Sequence, residues 1–195
     1  MKGHFVCNAC HISGVDRIIG ICRKETPKNP VEIVTGLMSE PFCHMHGPEH
    51  HIMAGGALLT AYKNAGGELD LPAALTEMVS RGKSVPGGAC GFWGACGAGI
   101  SAGMFVSILS KSTPLAEEPF ALSHRMTAAA LGRIGEVGGP RCCKRDSFLS
   151  ILTAVDFAAE HFQVEMEKQE IVCGYSRQNN QCIGGRCPFF DAAGA

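Results

Sequence analysis

The sequence has no excess of charge of either sign. Seventeen Lys and Arg stand against eighteen Asp and Glu, a formal net charge of −1, and the basic residues form no run. A chain without a basic patch is not expected to partner nucleic acid. Nor is there a run of the roughly 20 apolar residues that a membrane span requires, so no membrane partner is expected. The opening stretch MKGHFVCNACHIS lacks the apolar centre of a secretory signal, which points to a cytoplasmic protein. No segment alternates apolar and polar residues for long enough to build a sheet.

Cysteine, by contrast, is abundant. Eleven occur in 195 residues, an odd number, and in a reducing cytoplasm they are poor disulfide candidates. Their short spacings, interleaved with histidine, favour metal binding or redox chemistry and suggest an anaerobe's protein. The length suits one domain with a real core. We expect that domain, 1–195, to be all-α: a cysteine-rich N-terminal knuckle (1–28) with one short strand around Arg17 to Ile21, a helical core (29–170), and a cysteine-rich irregular tail (171–195), packed around a metal centre. Asn29-Pro30 with Glu32 reads as a helix start. A central helix should run from about Pro48 to Asn64, stopped by Gly66-Gly67. Asp70 should cap the next helix, closed by Arg81 and Gly82. Helices are expected over about 97–110, 120–133 and, capped by Asp146, 147–168, the last with an apolar stripe from Phe148 to Phe162.

The most distinctive stretch is Gly87 to Gly103, where seven glycines surround Cys90, Trp93 and Cys96 ahead of an apolar helix. Glycine allows close backbone approach to a bulky group, and a helix N-terminus offers N–H groups and positive dipole to it. Cysteines also stand at other helix starts: Cys43, and Cys142 with Cys143. Brought together, such thiolates suit an anionic iron–sulfur cluster, with Phe92 and Trp93 as its cover. Soft thiolates equally select zinc. The tail set Cys173, Cys182 and Cys187-Pro188 either completes that cluster or forms a second site with Cys7, Cys10 and Cys22, as a cluster or a zinc staple. The dense group Cys43, His44, His46, His50 admits two readings: loop bases, or a Cys–His₃ zinc site. Lys144 and Arg145 are candidates for holding a substrate carboxylate. Glu49 is explained by the helix dipole alone.

Three segments, in order, resemble the iron–sulfur L-serine dehydratases and the related L-cysteine desulfidases. Cys43-His44-Met45-His46-Gly47-Pro48 resembles their substrate loop, Gly94-Ala95-Cys96-Gly97-Ala98-Gly99 their cluster loop, and Arg141-Cys142-Cys143-Lys144-Arg145-Asp146 the segment before a long apolar helix. The resemblance spans residues 43 to 155. It implies a [4Fe–4S] cluster on three cysteines with one iron open as a Lewis acid. Cys96 and Cys142 would be ligands, and His44 a substrate contact. The third ligand position holds no cysteine here, leaving Cys143, Cys90 or the tail; the family's Gln and Glu of the cluster loop and serines of the substrate loop are also missing. The chain is also similar to an uncharacterised cysteine-rich family of anaerobes sometimes joined to methyltransferases.

The leading expectation is a non-redox [4Fe–4S] lyase or sulfur-handling enzyme acting on a small hydroxyl- or thiol-bearing carboxylate. It would carry one cluster, or two. His44, His46, His50, Lys144 and Arg145 would be catalytic, and Cys90, Cys96, Cys142 and Cys143 would hold the cluster. Cys7, Cys10, Cys22, Cys43, Cys173, Cys182 and Cys187 would be further metal ligands. The alternatives are an electron-transfer or cluster-carrier module, or a zinc-stabilised interaction domain serving a methyltransferase. A homodimer is a further expected assembly.

Overall fold

The computed structural model describes residues 14–192; Cys7 and Cys10, expected among the metal ligands, lie outside them. Helix follows helix: α1 (Asp16–Cys22), α2 (Pro30–Met38), α3 (His50–Asn64), α4 (Leu71–Lys83), the single turn α5 (Ala89–Phe92), α6 (Gly97–Leu109), α7 (Glu118–Val137) and α8 (Cys143–Phe162). Two short 3₁₀ turns, Ser176–Gln178 and Gly184–Arg186, follow. The all-α expectation holds, and the helices share one core. No helix among the described residues is long and apolar enough to cross a membrane.

Helix α3 is the axis of this core. Thirteen of its residues, from His50 to Tyr62, are buried, and it packs against α1, α2, α4, α6 and α8. Its closest neighbour is α6, and small residues explain why. The Gly55 N–H donates to Ser101 Oγ at 2.9 Å, and a Cβ on Gly55 would come within 2.8 Å of that hydroxyl as well as running into Met78 of α4. Backbones this close gain dispersion contacts along the whole crossing.

Where end signals are local, the elements begin as expected. Asn29 Oδ1 accepts from Val31 N–H at 2.9 Å, with Pro30 in the first turn of α2. Asp70 Oδ1 accepts from Ala73 N–H at 3.1 Å at the start of α4. Three expectations are corrected. The stretch expected as a strand is α1, whose Ile18 and Cys22 sit four apart on one buried face. Helix α7 runs through Gly132 and Gly135 and ends only at Gly138, which has φ +77. Helix α8 begins one turn early, with Cys142 rather than Asp146 at its cap, and stops at Gln163 in the left-handed region. Asp146 is no cap because it lies inside the first turn, its own N–H bonded to Cys142 O at 2.9 Å; its carboxylate accepts from Arg145 Nε at 3.0 Å.

Three helix N-termini meet at one end of the bundle. His51, at the start of α3, lies so close to Gly97, at the start of α6, that a Cβ there would strike the imidazole. Cys96, at the cap of α6, places its Sγ 3.8 Å from Asp146 Oδ2 in the first turn of α8. Lys144, also in that turn, reaches back to Cys43 ahead of α3. The tail folds over the same end: Cys173 N–H donates to Phe189 O at 2.8 Å, and Phe189 packs edge-on against Phe148 of α8.

Candidate metal centre

The loop 41–49 turns sharply enough to fold its own side chains under the start of α3. Gly47 makes this possible, because a Cβ there would occupy the space of both Glu49 carboxylate oxygens. Glu49 is fully buried. Its Oε1 accepts from the His44 N–H at 2.7 Å and faces His44 Nδ1 at 3.2 Å. His50 Nδ1 lies 3.1 Å from Gly47 O; a carbonyl only accepts, so Nδ1 carries the proton and Nε2 keeps a lone pair. That lone pair is on the nitrogen 3.7 Å from Cys43 Sγ. A ring N–H held by a backbone carbonyl is the usual support of a metal-binding imidazole.

Cys43, Glu49 and His50 thus bring three ligand atoms within 4.8 Å of one another. The 3.7 Å between nitrogen and sulfur compares with about 3.6 Å for the edge of a zinc tetrahedron with ordinary Zn–N and Zn–S bonds. Protonation states suit this use. Burial, helped by the nearby Lys144 cation, holds His50 well below its ordinary 6.5, so the ring is neutral. Burial raises the Cys43 thiol, while the hydrogen bond and charge of Lys144 act in the opposite direction. Lys144 Nζ lies 2.9 Å from that sulfur and 4.9 Å from the Tyr175 ring centroid, a buried cation ready to stabilise a thiolate.

His46 stands beside this group with a defined tautomer. Asn179 Oδ1 accepts from the Gln181 N–H at 2.9 Å and faces His46 Nε2 at 3.2 Å. The imidazole therefore donates from Nε2, and its buried Nδ1, which has no hydrogen-bond partner, keeps the lone pair. Burial lowers its pKa, and the Arg141 and Lys144 charges lower it further.

The other expected ligands fall into separate places. Cys90 and Cys96 line a cleft together with Arg141, Arg145 and Asp146. Burial pushes Cys96 and Cys143 up to about 12, Asp146 adding to both. Cys142 opens on the other side, into a cavity it shares with Cys173, Cys182 and Cys187, so Cys96 and Cys142 face different cavities with Arg145 lining both. Cys22 is fully buried in the core, and burial raises it to about 11. Phe92 and Trp93, expected as cover, are 89% and 68% exposed. Glu49 and Asn179 were not anticipated as site residues. Glu49 carried a signal, six residues after Cys43 and beside His50; Asn179 carried none, since only the tail's path brings it to His46.

The Gly47→Ala variant is expected to bind zinc at least about 10-fold more weakly with little change in melting temperature. The new methyl displaces the Glu49 carboxylate rather than the core. Competition with a chromogenic chelator measures this.

No curated protein and no solved structure matches the chain, so nothing there links it to the dehydratases. The family it does match is consistent with the likeness to an uncharacterised cysteine-rich group. With residues 18–190 matched, the chain belongs to DUF5714, a family of unknown function.

Proposed function

We propose that the protein binds one divalent metal ion on Cys43, Glu49 and His50 and serves as a metal-dependent lyase or sulfur-handling enzyme. The substrate class is a small hydroxyl- or thiol-bearing carboxylate. One observation carries the reading: three unlike donors lie within 4.8 Å of one another at a helix start, and such a three-donor set leaves a coordination position open. A single ion suits this spacing better than a cluster, whose ligands stand further apart. The ion would supply Lewis-acid polarisation of a leaving hydroxyl or thiol.

The chain's own groups supply the rest. Lys144, 2% exposed, sets its Nζ 2.9 Å from the Cys43 sulfur and would receive a substrate carboxylate. His46 is neutral and holds a lone pair at Nδ1, the form required of a general base. Asn179 fixes which nitrogen that is.

The test is metal analysis of protein purified without oxygen, followed by assays with L-serine and L-cysteine. Wild-type protein should hold one tightly bound zinc or ferrous ion that is not matched by sulfide, lost in Cys43→Ser. The His46→Ala variant should retain the metal and lose turnover by about 100-fold or more. Undiminished metal binding in both Cys43→Ser and Glu49→Gln would overturn the site, and full activity in His46→Ala would overturn the base.

A further inference from the structure

We infer that Cys142, Cys173, Cys182 and Cys187 hold a second, separate centre, a four-cysteine iron–sulfur cluster of the [4Fe–4S] type. The inference does not depend on the mononuclear site above.

The first ground is convergence. Cys142 stands at the cap of α8, and the three tail cysteines come from an irregular segment, yet all four line one cavity whose wall is otherwise largely apolar, with Phe148, Phe189 and Phe190. Four thiols on one partly buried space fulfil the ligand count of such a cluster.

The second ground is the set of donors aimed at the sulfurs. Tyr175 N–H donates to Cys173 Sγ and Gly184 N–H to Cys182 Sγ, each at 3.4 Å and each from two residues further along. Gly184 reaches this position at φ +57, a conformation open to glycine. Asn179 Nδ2 lies 3.6 Å from Cys142 Sγ. Neutral thiols need little of this; thiolates bound to iron are stabilised by N–H donors, which also set the potential of the cluster. Arg145, only 3% exposed, lines the cavity too and offers a counter-charge to four thiolates.

The third ground separates a cluster from zinc. Tetrahedral zinc with Zn–S near 2.3 Å needs every pair of sulfurs about 3.8 Å apart. Among the described residues no three of these four sulfurs lie within 4.8 Å of one another; the trio that does is Cys43, Glu49 and His50. A looser ring of thiols suits the larger inorganic core. The fold has a use for it as well. Among the described residues the tail from Cys173 onward has only 3₁₀ turns and a single bridge between Cys173 and Phe190, so a cluster would staple it to the start of α8. With all four irons held by cysteine, this centre would pass electrons or brace the fold rather than bind substrate.

The full chain, purified under argon and incubated with ferrous and ferric iron and sulfide, should take up about four irons and four sulfides. It should also show a broad visible absorption that dithionite bleaches. Cys182 is exposed, so Cys182→Ser should fold normally; it and Cys187→Ser should lose most of the iron and sulfide. Cys43→Ser should keep the cluster while losing the single ion, which tells the failure of one centre from the failure of the other. Cluster uptake unchanged in both tail variants would overturn the inference. So would uptake abolished by Cys96→Ser but not by Cys182→Ser, or a zinc ion without sulfide on the four thiols.

Discussion

Alanine at position 50 should abolish tight metal binding and lower stability in the same protein, and the two losses have separable causes. His50 is 1% exposed and contributes its Nε2 to the group with Cys43 Sγ at 3.7 Å. Two donors would remain where three stood. Since outer partners of metal ligands already cost about 10- to 100-fold in affinity when mutated, loss of the imidazole itself should exceed about 100-fold. The fold suffers independently. The Nδ1 bond to Gly47 O at 3.1 Å disappears, and a cavity opens at the start of the most buried helix. The Gly47 carbonyl keeps the His50 backbone N–H at 3.3 Å, so the lost side-chain bond costs about 0.5–1.5 kcal/mol, before any cavity term.

Denaturant melts with and without zinc resolve the two. Wild-type protein should gain stability with added zinc, by about 2.7 kcal/mol at one hundred times Kd. The His50→Ala variant should start lower and gain nothing. A variant that still gained stability from zinc would show that the ion sits elsewhere.

Sequence logic reached helices more readily than it reached the site. Asn29 and Asp70 were legible as caps because capping is settled within three residues of chain. Asp146 looked like a third, and failed because it lies inside the first turn; Arg145 and Cys96, one adjacent in sequence and the other fifty residues away, claim its carboxylate. The short apolar run of α1 has too few residues to show a helical period, so strand and helix could not be told apart. At the site, proximity in sequence made the cysteine and histidine group around Cys43 visible, but not the direction each side chain takes. Within it, the chain bends so that Cys43 and His50 meet Glu49, His44 serves that carboxylate, and His46 turns to Asn179. Cysteines at helix starts do gather at one end of the bundle. That Cys96 and Cys142 enter different cavities depends on side-chain direction at the caps, and no spacing rule encodes that.

Replacing Arg145 by methionine should cost about 3–5 kcal/mol, a large share of the roughly 5–15 kcal/mol that holds a domain together. The Arg145–Asp146 pair has side chains only 3% and 5% exposed, with Nε to Oδ1 at 3.0 Å, and the same guanidinium donates to Pro140 O at 3.1 Å. Burial already raises Asp146 above its ordinary 3.8, with Arg145 the main opposing influence. Methionine fills much of the volume but removes that opposition, so the carboxylate must either stay charged without a partner or take up a proton. The sign of the pH dependence follows. A carboxyl whose folded pKa is raised contributes stability below its unfolded pKa and loses it as pH climbs through the folded value. In Arg145→Met the folded value moves higher, so the window of loss extends upward. The deficit against wild type should therefore be smaller at pH 5 than at pH 8, as read by urea unfolding at each pH. Asp146→Asn added to Arg145→Met should recover part of the loss at pH 8 and little at pH 5, because the amide does not ionise. Equal deficits at the two pH values would mean that methionine's packing, not the stranded carboxylate, sets the cost.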